Sequence, residues 1–176
     1  FSARISPFAY RVFAYEPFVE NHKWLERNLK ECSNVVVVPS AVTGSGGKMR
    51  LFMPEDEAST GAYSGFPDLR VTTESYQDVS STTLNQIFVD NGIDRCDLLK
   101  VDIEGHEYEV MHSADDDVLS RIWRIHGEYH NVAPREQITR IENFLSFLRS
   151  KGYAIEIVPH RRKHNHGLFY ARRVDG

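Results

Sequence analysis

Lys100, Asp102 and Glu104 alternate through DLLKVDIEGHEYE, residues 97–109, where Leu98, Leu99, Val101 and Ile103 read as a strand. A period of two puts Lys100 and Asp102 on one face. A strand covered on both faces carries polar groups only where it leaves the core, and that carboxyl end is where open α/β sheets bind ligands. Lys100 can pair with Asp102 and keep it ionised, because a lone buried charge is costly. Gly105 allows a sharp turn into a helix over about 106–114. Glu104 reads as a site acid or as an acid facing the helix dipole, and His106 as a turn residue before a base.

A second carboxylate, Glu16, ends the strand-like RVFAYEP just before Pro17. Such an acid can accept both hydroxyls of an adenosine ribose; it can equally cap the following helix. A third group is HGEYH, residues 126–130. His126, Glu128 and His130 share a strand face, yet alternate residues project about 6–7 Å apart, too far for three neighbours to converge on one ion. No metal site is expected. Glu128 or His130 suits a general base or hydroxyl-positioning group, since imidazole titrates near pH 6.5. Last, PHRRKHNHG, residues 159–167, is basic in an otherwise acidic chain. Its arginines Arg161 and Arg162 suit a phosphorylated, carboxylated or sugar-acid acceptor, against the alternative of a solvated hairpin tip.

The elements that position these groups follow from periodicity. NVVVVPSAV, 34–42, has the uninterrupted apolar character of a buried strand. A helix is predicted from about 19 to 32 with Trp24, Leu25, Leu29 and Cys32 as its stripe, and another over 82–92 ending at Gly92. Residues 54–82, rich in small and polar types, read as a long irregular excursion. A strand over 121–130 precedes a helix opened by Pro134 and closed by Gly152. YAIEIVP and HGLFYARR are too close in sequence for a helical crossover and must pair antiparallel. This is one α/β domain over 1–176 with a mixed sheet.

The 176 residues carry 21 Lys and Arg against 25 Asp and Glu, a net charge of -4, which argues against a generally nucleic-acid-binding surface. Two cysteines, Cys32 and Cys96, make neither a disulfide framework nor a metal knuckle. No apolar run reaches the roughly 20 residues of a membrane span. A cytoplasmic protein is the default expectation.

In order, VFAYEP, NVVVVPSAV, TLNQIF and DLLKVDIEGHEYEVM resemble the FkbM-like S-adenosylmethionine-dependent methyltransferases, with GEYH matching the acid-bearing strand end that follows. The resemblance implies a Rossmann-like methyltransferase sheet with a reversed last strand. It implies S-adenosyl-L-methionine as cofactor, held by Glu16, Pro17, Ala41 and Asp102. Asp102, Glu128 and His130 would be catalytic, and Lys100, Glu104, His106, Arg161 and Arg162 would meet a small-molecule or glycan acceptor. Nothing in residues 1–10 matches the first central strand and its glycine-rich turn. The chain therefore reads as N-terminally incomplete, with a gap expected where the buried centre of the sheet belongs. An NAD-dependent oxidoreductase and a catalytically silent binding module are the alternatives.

Overall fold

The computed structural model describes residues 1–54, 71–130, 141–160 and 166–174; the side chains of 53, 54, 71–75, 130 and 166 are not described. In chain order the elements are α1 (Ser2–Ile5), a 3-10 turn (Ser6–Phe8), β1 (Val12–Tyr15), α2 (Val19–Leu29), β2 (Val35–Val38), β3 (Ala41–Val42), β4 (Gly47–Pro54) and β5 (Val71–Thr82). They continue as α3 (Leu84–Asp90), β6 (Leu99–Val101), α4 (Glu107–Ser113), α5 (Asp116–Ser120), β7 (Arg124–His130), α6 (Ile141–Ser150), β8 (Tyr153–Pro159) and β9 (His166–Arg173). The expected alternation of strand and helix is present, ending in the expected antiparallel hairpin.

Among the described residues the strands form separate sheets: β1-β2, β3-β5-β4 and β6-β7-β9-β8. Parallel pairing joins β1 to β2 and β6 to β7, while β9 runs antiparallel to both β7 and β8. The described strands thus make a mixed α/β fold, and no ladder between β1 and β6 is among their pairings.

The main core lies between one face of the four-stranded sheet and helices α3 to α6. Val101, Ile125, Tyr129, Phe169 and Ala171 meet Tyr108, Met111, Leu119, Phe144 and Leu148 there. Phe169 packs edge-on against Phe144 at 5.2 Å between ring centres. Its ring also lies across Gly127, where a Cβ would stand 2.1 Å from Phe169 Cε1. Only the missing side chain admits this contact. A smaller core joins Ala41, Leu51 and Val79 under the β3-β5-β4 sheet.

The opposite face of the four-stranded sheet is not buried. Lys100 and Asp102, Arg124, and Leu168 and Arg172 are exposed, while His126, Glu128 and Tyr170 are half-buried. Lys100, His126, Tyr170 and Glu156 stand side by side across the four strands. The assumption that β6 is covered on both faces fails here, because its helices pack on one side only.

Three other expectations are corrected. Residues 71–82 are a strand paired along β4, not part of an irregular excursion; 55–70 lie outside the described residues. Trp24 is 59 % exposed, with the Arg27 guanidinium over its ring, because α2 buries its other side around Leu29. The valines of β2 are half-buried instead of fully buried, since their sheet has only two described strands. Helices α3 and α6 stop just before Gly92 and Gly152 as predicted, and Thr83 Oγ1 caps α3 by accepting from Gln86 N at 3.1 Å. Pro134 lies outside the described residues.

Candidate active site

Asp102 follows β6 directly and Glu128 stands near the end of β7. Val101 pairs with Gly127 in parallel register, so the next step along both strands sets Asp102 beside Glu128 on the open face, at the same edge. Neighbouring strands lie about 4.8 Å apart. Two of the acids read from sequence therefore stand at the neighbouring ends of the two strands. Lys100 Nζ donates to Asp102 Oδ2 at 2.9 Å, and the side chains are 32 % and 43 % exposed. One row back, His126 meets Tyr170 edge-on at 4.9 Å. Burial lowers the His126 pKa, helped by the Arg124 and Lys100 charges, which favours the neutral imidazole.

The turn after Asp102 explains the E-G-H-E sequence. Glu104 has φ +50 and Gly105 φ +102, two consecutive left-handed residues. Such a turn aims backbone N–H groups inward, and Glu107 collects them. Its carboxylate accepts from Ile103 N at 3.1 Å and from Gly105 N at 3.0 Å, with the side chain fully buried. A buried carboxylate is tolerable only with such donors. Sequence reading missed Glu107, because Glu104, Glu107 and Glu109 follow the same strand and spacing does not separate them.

Glu109 was also missed. Its Oε2 lies 3.1 Å from His106 Nδ1, and its Oε1 accepts from Gly44 N at 3.1 Å. An ionised carboxylate only accepts, so Nδ1 carries the proton. His106 occupies the N-cap position of α4 without a side-chain capping bond and is 8 % exposed, its ring beside an acid that also accepts from the turn after β3.

Glu16 stands immediately after β1. Its Oε1 accepts from the backbone N of Phe18, the N-cap residue of α2, at 3.0 Å, and α2 has no side-chain cap hydrogen bond. Burial raises its pKa, with the Phe18 and Asn21 hydrogen bonds and the His22 charge opposing. This desolvated acid still has acceptor capacity for further hydroxyl donors, and in that respect it fits a ribose. Pro17 is half-buried next to it, whereas Ala41 is buried in the smaller core. His130 ends β7 in register with His166. Arg161 and Arg162 lie outside the described residues.

The profile of the methyltransferase FkbM domain matches residues 5–155. The chain belongs to the FkbM methyltransferase family. Comparison with curated proteins returns no match. Family membership makes this chain a methyltransferase and implies S-adenosyl-L-methionine as the methyl donor. In this FkbM methyltransferase no described helix is long and apolar enough to cross a membrane. Among the described side chains, no group of three His, Cys, Asp or Glu is placed to hold a metal ion.

Proposed function

We propose that this FkbM methyltransferase methylates a hydroxyl oxygen of a small molecule or glycan. The reading is supported by the parallel register of β6 and β7, whose last pair is Val101–Gly127 just before Asp102 and Glu128, and by the Lys100–Asp102 ion pair. Bound S-adenosyl-L-methionine would supply an electrophilic methyl on a positive sulfur. Glu16 would hold its ribose, with Pro17 and Ala41 lining the adenosine side.

Asp102 would orient the acceptor hydroxyl, with the Lys100 ammonium paired to it. Glu128 or His130 would take the hydroxyl proton as the oxygen becomes nucleophilic. Charge disappears from the sulfur in such a transfer, so alignment and exclusion of water matter more than a strong base. Glu104 and His106, fixed by the Glu107 and Glu109 carboxylates, would border the acceptor.

An anionic acceptor is favoured by strand direction. β8 runs in the same direction as β7 with β9 between them, so Pro159 and His166, which flank the Arg161–Arg162 segment, stand at the end of the sheet where Tyr129 and His130 end β7. The whole of 1–176 is read as one methyltransferase-like domain acting in the cytoplasm.

Calorimetry with S-adenosylhomocysteine, followed by transfer of a labelled methyl to panels of hydroxylated acceptors, tests the reading. Binding without transfer to any oxygen acceptor would refute the hydroxyl assignment. Absence of binding would remove Glu16 from a cofactor role and leave a silent binding module.

A further inference from the structure

We infer that Arg124 and Arg172 together hold a phosphate group on the open face of the four-stranded sheet, at the end of β7 away from Glu128. The two arginines are directly opposite in the antiparallel β7–β9 register. Which kind of pair they make follows from one hydrogen bond. Arg173 N donates to Trp123 O at 2.9 Å, one step before the Arg124–Arg172 pair. That step is a hydrogen-bonded position, so Arg124–Arg172 is a non-hydrogen-bonded one. Pairs of this kind are the closer, with Cα atoms about 4.5 Å apart and side chains nearest to one another.

Their face follows from alternation. Ile125 and Gly127 on β7, with Phe169 and Ala171 on β9, are buried on the core side, and Arg124 and Arg172 are exposed on the other. Like charges directly opposite one another destabilise a sheet. An acid within reach would remove that cost. Among the described residues, however, neither guanidinium makes an ion pair, a hydrogen bond or a ring contact. Of the acids on this face, Asp102 is engaged by Lys100, and Glu156 stands one row on, opposite Tyr170. In the arginine row β8 supplies only Ala154, exposed and small, which leaves the space beside Arg172 open. The Arg124 charge is felt across the face: after burial, it is the next cause of the lowered His126 pKa, ahead of Lys100.

The ligand class follows from the donors. Each guanidinium presents a planar fork of N–H groups. A carboxylate has two oxygens and is filled by one fork. A phosphate monoester has three terminal oxygens and a charge of about −1.5 to −2 at neutral pH, so it can accept from two forks and balance both charges. The site stands apart from methyl transfer, in which neither arginine has a part, and it is read by binding alone.

The test melts the purified protein near neutral pH in inorganic phosphate and, at matched ionic strength, in acetate. Phosphate should raise the melting temperature above the acetate value, because a ligand of the folded state stabilises it by mass action. In Arg124→Gln or Arg172→Gln the phosphate concentration giving half the effect should rise at least about tenfold, the scale of a lost hydrogen bond to a charged group. Both variants should melt in acetate as high as the parent or higher, since the repulsion is relieved. Arg149→Gln, exposed on α6, should leave the phosphate effect unchanged. Independently of any variant, imidazole NMR of the unsubstituted protein should show the His126 pKa rising with phosphate, as an anion beside Arg124 offsets the charge that lowers it. Phenyl phosphate run in parallel distinguishes an esterified ligand, which the ester should mimic more tightly, from the free ion. Equal melting in phosphate and acetate, an unmoved His126, or a full phosphate effect with both arginines replaced would overturn the site.

Discussion

Lys100 and Asp102 form a 2.9 Å ion pair on a sheet face that the core helices leave open. A pair this exposed is worth about 0–1 kcal/mol, because water screens it and two side chains must be held still. Asp102→Asn should therefore melt within a few degrees of the parent, whatever it does to turnover. Initial methylation rates beside melting curves make the check. A large stability loss with undiminished activity would return Asp102 to a structural role.

Burial raises the Glu16 pKa, and the linkage sign follows. The folded state holds this proton more tightly than the unfolded chain. Its contribution to stability is complete below the ordinary carboxylate range and is lost as pH rises through the folded value. Glu16→Gln can still accept from Phe18 N, and it should match or exceed the parent's stability at pH 7. That advantage should vanish at low pH. Affinity for S-adenosylhomocysteine should nevertheless drop, by about 1–3 kcal/mol, the scale of hydrogen bonds to a charged group. Melting temperature against pH, paired with calorimetry, separates the effects.

Glu107→Ala should be among the most damaging substitutions in the domain. It removes the acceptor for Ile103 N and Gly105 N while leaving both donors in a turn where water is scarce. Each buried unsatisfied group costs about 1–3 kcal/mol. Urea unfolding should show a lower midpoint with little change in slope, and Glu107→Gln, which keeps one acceptor, should recover part of it.

Gly127→Ala places a methyl inside the Phe169 ring. Overpacking of this kind costs about 1–3 kcal/mol. Phe169→Leu loses ring contacts by itself, yet in the double variant the two changes should partly compensate. A double-mutant cycle in denaturant should give a clearly non-additive coupling; strict additivity would mean that the sheet relaxes around the new methyl.

Neutralising Arg161 and Arg162 should raise the KM for an anionic acceptor and leave cofactor affinity nearly unchanged. In the parent that KM should rise with salt, since exposed charges are screened over about 8–10 Å. The double variant should lose most of this dependence. Indifference of the parent to both changes would mark the segment as solvated surface.

Local chemistry was legible in the sequence. The period of two in LLKVDIE located a strand and its polar face, the stripe ending in Leu148 located α6, and the short interval between YAIEIVP and HGLFYARR required a hairpin. Each depends on neighbours a few residues apart, which backbone geometry makes predictable. Glu107 was not legible, because Glu104, Glu107 and Glu109 all follow the same strand. Only the left-handed turn at Glu104 and Gly105 selects the carboxylate that is buried. The strand β5 was hidden because a run of threonine, serine and aspartate becomes a strand only when β4 offers it a ladder. Which face of β6 meets the core was decided by α4 to α6. The pairing of Lys100 with His126, and of His126 with Tyr170, was decided by register between strands far apart in the chain. Sequence spacing carries no record of register between distant strands, because register is chosen by packing both strands at once.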